Sequence, residues 1–229
     1  MNNQNIESKK ILVIGSDSKI AEYLLKKISN RNDHLTTISR NKISPLRSKN
    51  HFCIDLSSIE EVKILCKKIE KLTFDVFLYF PGSFNPKEFT KISYDEIIKE
   101  ININLNAAIC LSLPVLRNMR EKKSGMMLFL GSSSSYAGFK NTSIYCSSKH
   151  GLLGFTRSIA DEYREIGIKI ACISPGSVKT KMSIPLHINQ NPDTFIDPVE
   201  ISKLIENLIY NPPKSMWQEE IILKRINYS

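Results

Sequence analysis

Tyr145 and Lys149 stand four residues apart in the stretch Tyr145-Cys-Ser-Ser-Lys149. On a helix this spacing puts both side chains on one face, where a phenol and an ammonium can work as one acid/base unit. Ser132 lies thirteen residues before the tyrosine and closes the apolar run Met126-Met-Leu-Phe-Leu-Gly131. That run reads as a buried strand whose end opens into the serines 132–135. A hydroxyl at the carboxyl end of a parallel strand lies on the edge where doubly wound sheets bind ligands. The chemistry such a trio supports is proton transfer at an alcohol or carbonyl oxygen. A free tyrosine titrates near ~10, and a neighbouring ammonium favours the phenolate, so Lys149 is expected to lower Tyr145. The Ser132 hydroxyl can hold the substrate oxygen and stabilise charge developing there. No member of the trio moves a hydride, so a redox cofactor must supply that step.

With these residues in place the chain resembles the short-chain dehydrogenase/reductase family, from about Lys10 to about Thr180. The family's Ser and Tyr-x-x-x-Lys core is present at its expected spacing. The family also places an asparagine on the long helix before the serine strand, and Ile101-Asn-Ile-Asn104-Leu puts Asn104 there. The resemblance implies four roles: Tyr145 as acid/base, Lys149 tuning it and holding the nicotinamide ribose, Ser132 orienting the substrate oxygen, and Asn104 bending its helix to complete a proton relay. Ile170-Ala-Cys-Ile-Ser-Pro175-Gly176-Ser-Val178-Lys-Thr180 looks like the family's strand, Pro-Gly turn and threonine, which close over the nicotinamide half of the cofactor.

The dinucleotide end departs more from the family. A strand, a glycine turn and a helix N-terminus form a pyrophosphate site, because backbone amides and the helix dipole favour anions there. Gly15-Ser-Asp-Ser18-Lys19-Ile20-Ala21 keeps only the first glycine of the family's GxxxGxG, with Lys19 and Ala21 replacing the others. Lys19 points either at a phosphate or at solvent. The second strand ends in Ser39-Arg40 where an NAD site usually carries an acid, and a guanidinium matches a 2′-phosphate by its charged fork. NADP(H) is therefore the expected cofactor, with NAD(H) the alternative. Asp55-Leu56 resembles the family's aspartate beside the adenine, and Asp55 also suits a helix cap. Tyr79-Phe80-Pro81-Gly82 stands where the family has Asn-Asn-Ala-Gly, and Pro81 and Gly82 remain expected cofactor neighbours. Substrate-side candidates are Ser134, Tyr136 and Ile184, with Phe84, Gly138 and His187 nearby. They lie around a Pro- and Asn-containing segment, 181–197, that matches the family's variable lid.

The elements that must position these residues alternate along the chain. Strands are expected at Lys10–Ile14, His34–Ser39, His51–Ile54, Asp75–Phe80, Met126–Gly131, Ile168–Ile173 and Glu219–Leu223. Helices are expected over about Ser18–Asn30, Ser57–Leu72, Tyr94–Arg120 with a break or bend at Pro114, from Tyr145 to about Ile166, and from Pro198. The pattern implies an α/β, Rossmann-type doubly wound parallel sheet of about seven strands. It fits one domain over 1–229, behind a polar tail at 1–9.

A chain of 229 residues with 41% hydrophobic and 24% charged residues has the makeup of a soluble enzyme. The polar start lacks the apolar core of a signal peptide, and no run reaches the ~18 apolar residues needed to span a bilayer, so a cytoplasmic protein is expected. The net charge of +9 comes from scattered lysine pairs without interleaved aromatics, which argues against nucleic acid or a membrane as partner. The five cysteines show no metal-ligand spacing and read as reduced, mostly buried thiols. The expected partners are a small carbonyl/alcohol substrate and further copies of the chain, as a homodimer or homotetramer. Two other activities fit the same residues: epimerisation of a sugar, and dinucleotide binding by a regulatory protein without turnover.

Overall fold

The computed structural model describes residues 8–41, 48, 50–181, 183 and 191–226. Seven parallel strands form one sheet: β1 (Lys10–Ile14), β2 (His34–Ser39), β3 (Asn50–Cys53), β4 (Val76–Tyr79), β5 (Gly125–Leu130), β6 (Ile168–Pro175) and β7 (Glu220–Leu223). Their spatial order is β3-β2-β1-β4-β5-β6-β7. The order reverses between β1 and β4, which opens a crevice above their carboxyl ends. Gly15, Pro81-Gly82 and Ser132 all follow strands that end at or beside that crevice.

Helices cover both faces, as the continuous apolar strands require. One layer packs α1 (Lys19–Ile28) and α6 (Pro198–Tyr210) against Ile11, Val13, Val76, Leu78, Leu128 and Ile173. The opposite layer packs α2 (Ile59–Ile69), α4 (Ala107–Lys122) and α5 (Ser143–Tyr163) against Leu12, Ile14, Phe77, Tyr79, Met127 and Phe129. Alternation of side chains along each strand sends odd and even positions to opposite layers. No helix among the described residues is long and apolar enough to cross a membrane.

Element boundaries follow local chemistry. Ser18 caps α1 by accepting from the Ala21 amide at 3.2 Å, and Ser58 caps α2 from Glu61 at 3.3 Å. The short helix α3 (Tyr94–Ile101) opens on a full capping box between Ser93 and Glu96. β6 runs two residues past its expected end because Ser174 and Pro175 pair with Ile222 and Leu223.

Two expectations are corrected. The long helical region does not break at Pro114; it passes from α3 through a π-helical turn, Asn102–Asn106, into a continuous α4 that contains Pro114. Proline there frees the carbonyl of Cys110 four residues back, and the Cys66 thiol of α2 donates to that oxygen at 3.4 Å. The thiols are also not mostly buried. Cys146 and Cys172 are, but Cys53 and Cys110 are exposed and Cys66 lies between. Cys53 sits on the edge strand β3, and Cys110 lies away from the buried stripe of α4.

The π-turn is braced from the sheet. The fully buried Tyr79 donates its hydroxyl to the Ile103 carbonyl at 2.6 Å. Burial pushes that phenol well above its ordinary value, so it stays a donor. Tyr79→Phe should leave the carbonyl short of a partner and cost about 1–3 kcal/mol, read as a shift in the urea midpoint at unchanged slope.

Candidate active site

Ser132 follows β5 in an extended conformation, its Oγ accepts from the Ser134 amide at 3.1 Å, and the Ser132 amide donates to Ser135 Oγ at 3.2 Å. This serine turn brings the Ser132 side chain near enough to the Tyr145 phenol of α5 to act on it. One helical turn on, Lys149 is only 2% exposed and donates to the Leu130 carbonyl at 2.9 Å. Its Nζ lies 5.8 Å from the centre of the Tyr145 ring. Gly82 lies beside it: a Cβ built there would stand 4.0 Å from that Nζ, an ordinary contact distance.

Asn104 ties these parts together from the π-turn. It is fully buried, accepts from the Ser83 amide at 2.7 Å, and donates to the Ser83 carbonyl at 2.8 Å and to Ser148 Oγ at 2.9 Å. Ser148 in turn donates to the Tyr145 carbonyl at 2.7 Å. Asn104 thus fixes the loop after β4 against the tyrosine turn of α5. Its neighbours do different work: Asn102 donates to the Ser57 carbonyl at 3.0 Å, and Asn106 donates to Asn102 at 2.7 Å.

Burial dominates the electrostatics. Desolvation pushes Tyr145 up to about 12, against the lowering effect of nearby Ser132. Desolvation also pulls Lys149 down to about 8. The expectation that Lys149 lowers Tyr145 is therefore not met in the free protein. The lysine gives up its charge at lower pH than the phenol, so it is neutral before the phenol ionises. At neutral pH the site holds a protonated phenol beside a charged lysine.

The turn after β1 can take a phosphate group. Gly15 adopts φ 73°, and its amide and that of Ser16 donate to the Ile38 carbonyl at 2.9 and 3.1 Å. The Ala21 amide is capped by Ser18, which leaves the Lys19 and Ile20 amides at the helix N-terminus for a ligand. The Lys19 side chain does not cover them: its ammonium pairs with Glu22 at 3.1 Å and lies 5.0 Å over the Tyr23 ring. Ala21 is buried in the α1–α6 layer, where a methyl group is accommodated.

At the next strand, Ser39 Oγ donates to the Asn41 carbonyl at 3.2 Å, and exposed Arg40 follows it. Asp55 accepts from the amide and hydroxyl of Ser57 at 2.9 and 2.8 Å, the backbone bond being the main reason its carboxyl lies below the usual range. The Arg40 charge adds to that lowering. Asp55 therefore makes a turn, while Ser58 caps the helix. Leu56 is buried beside it. Beyond β6, the Gly176 amide donates to the Leu223 carbonyl at 2.8 Å, Val178 bridges to Ile196, and Thr180 Oγ1 lies 3.3 Å from Ser183 Oγ. Free amides at a helix N-terminus, an arginine just after β2 and a phenol beside an ammonium, along one sheet edge, are a donor set that fits a nicotinamide dinucleotide.

A model of short chain dehydrogenase sequences matches residues 9–191. The chain belongs to the short-chain dehydrogenase/reductase family. It is 31% identical over 196 residues to a 3-oxoacyl-acyl-carrier-protein reductase of Buchnera aphidicola, covering 81% of this chain and 80% of the relative. It is 25% identical over 187 residues to carbonyl reductase family member 4 of Xenopus laevis, covering 78% and 79%. Among solved structures, a 4-hydroxyisoleucine dehydrogenase complexed with NADH superposes with a TM-score of 0.83 at 27% identity, over 95% of this chain and 97% of that one.

On the substrate side of this family member, Phe84 packs edge-on against Tyr145, with ring centres 4.5 Å apart. Ser134 is buried in the serine turn, and Gly138 has open space around it. The Tyr136 hydroxyl is committed elsewhere, donating to Glu220 on β7 at 2.9 Å. Ile184 and His187 lie outside the described residues, as do 182 and the rest of 184–190. Four residues went unread in the sequence. Ser83 and Ser148 act through backbone and hydroxyl contacts to Asn104, which leave no type signature. Asp17 holds Asn41 at 3.1 Å beside the Ser39-Arg40 turn. Glu100 was legible in principle, since positions 97, 100, 101 and 104 share the inward helix face. Gly15→Ala should cost about 1–2 kcal/mol, because a left-handed backbone strains any side chain. Its Cβ would also press Pro81 at 3.0 Å. Urea unfolding reads the cost, and a weaker coenzyme titration accompanies it.

Proposed function

We propose that this protein is an NADP(H)-dependent oxidoreductase that interconverts a carbonyl and an alcohol, with Tyr145 as the acid/base. The observation that carries the reading is Tyr145 beside buried Lys149, its ring centre 5.8 Å from Nζ, with Ser132 near enough to act on the phenol, at the edge where the sheet order reverses. A bound nicotinamide supplies the hydride in reduction and accepts it in oxidation. In reduction, Tyr145 gives its phenolic proton to the substrate oxygen as the carbonyl carbon becomes tetrahedral. Ser132 donates a hydrogen bond to the same oxygen and stabilises its developing charge. Lys149 balances the phenolate left behind. A phenol held protonated at neutral pH is ready to donate, which favours the reductive direction.

Arg40 supports NADP(H) through its fork, and its neighbour Ser39 can add a hydroxyl to a 2′-phosphate. NAD(H) is the second reading, favoured by the Asp17 carboxylate beside Asn41 and by the NADH-bound 4-hydroxyisoleucine dehydrogenase. Homo-oligomers and a location in the cytoplasm go with the reading as further proposals.

Nicotinamide fluorescence decides between the coenzymes. NADPH should bind more tightly than NADH, and Arg40→Ala should remove most of that preference, a loss of about tenfold or more for a charge-assisted pair. Equal affinities unmoved by Arg40→Ala would favour NAD(H). With a β-ketoacyl thioester and 4-hydroxyisoleucine as first probes, Tyr145→Phe should lower turnover by about 10²–10⁴-fold while coenzyme affinity stays within about twofold. Unchanged turnover in that variant would remove Tyr145 from the chemistry.

A further inference from the structure

Glu100 lies in the last turn of α3 and is only 4% exposed. The other charged groups of its helix look outward: Glu96 pairs with Lys87 at 2.9 Å, and Lys99 acts on Asp55. The backbone of Asn85 lies near enough to Glu100 to act on its carboxyl, in the segment that carries Phe84 over Tyr145. Its Oε1 is buried with no hydrogen-bond partner among the described residues. A carboxylate bare on one side inside a protein is costly and calls for a reason.

The titratable groups of α5 within electrostatic reach of it are Lys149 and Tyr145. Cys172 from β6 also acts on Lys149, but burial holds that thiol above its ordinary value and so protonated. Cys146 acts on Tyr145 from the same helix. Glu100 is thus the carboxyl group whose charge reaches an ammonium buried against the Leu130 carbonyl. An unpaired buried ammonium tends to lose its proton, and an opposite charge nearby retains it.

We propose that Glu100 is a positioning residue, the counter-charge that keeps the buried Lys149 protonated. The proposal rests on the oxidoreductase reading, in which Lys149 holds the nicotinamide ribose. Burial raises Glu100 to about 7 and lowers Lys149 to about 8. Because the carboxyl value is raised, Glu100 carries its charge only above about 7 and is neutral below it. Its support for Lys149 is therefore absent at pH 6 and present at pH 8. Glutamine reproduces the neutral acid at every pH.

The test is the dissociation constant of whichever of NADPH and NADH binds the wild type, measured by nicotinamide fluorescence at intervals from pH 6 to pH 9. Wild type and Glu100→Gln should coincide at pH 6. Above pH 7 the variant should weaken first, its alkaline limb lying about one unit lower, with up to about a tenfold loss near pH 8. Glu100→Asp, which keeps the charge, should restore most of the limb. If the glutamine variant does not fold, Glu100→Met fills the same space without charge and takes its place. Coincident curves at all pH values, or a loss by the same factor at every pH, would overturn the role of Glu100. Failure of the wild type to bind either coenzyme at any pH would instead overturn the oxidoreductase reading itself.

Discussion

Burial of the Lys149 ammonium is the constraint on which the rest of the site depends. A charge taken out of water needs acceptors. The Leu130 carbonyl at the end of β5 accepts from it at 2.9 Å, and Gly82 after β4 lies alongside it. The price is a lysine that titrates at about 8, low enough for small changes around it to decide its charge at physiological pH. This explains why so much polar structure converges on one turn of α5. Asn104 and Ser148 hold that turn against the loop after β4, so the ammonium and phenol keep their spacing without relying on each other.

The same constraint accounts for the π-turn. A regular helix through Asn102–Asn106 would present a different face at position 104; the wider turn lets a fully buried asparagine serve the Ser83 amide and carbonyl together. The family's two asparagines in this loop are missing here, replaced by Tyr79 and Phe80, and Pro81 stands where the family has alanine. Phe80 packs into the α1–α6 layer, Pro81 packs on Gly15, and Tyr79 reaches through the opposite layer to the Ile103 carbonyl. Bracing that the family obtains with side-chain amides is obtained here with aromatic packing and one buried phenol.

The sheet was legible because its strands are short apolar runs between polar segments, and all seven fell within a residue or two of their expected bounds. The trio was legible because helix periodicity alone places Tyr145 beside Lys149. What the sequence could not show were effects of burial. The ordinary rule that a lysine lowers a nearby phenol presumes a charged lysine, and only the fold reveals that desolvation lowers Lys149 past that point. The helix break was misplaced for a similar reason. Pro114 carries the strongest local signal for a bend, yet Cys66 on another helix satisfies the freed carbonyl, while the true interruption comes from asparagines serving a distant loop.

The degraded glycine turn follows the same logic of local compensation. The second family glycine stands where backbone must approach phosphate, so Lys19 looks prohibitive in the sequence. In the fold its Cβ projects from the first turn of α1, and Glu22 one turn along draws the ammonium onto the outer face of that helix. Tyr23 adds its ring to the same arrangement. The amides at the helix N-terminus therefore remain open although the glycine has gone. The glycine that could not be replaced is Gly15, whose left-handed backbone and contact with Pro81 are demands of geometry that no neighbouring charge can relieve.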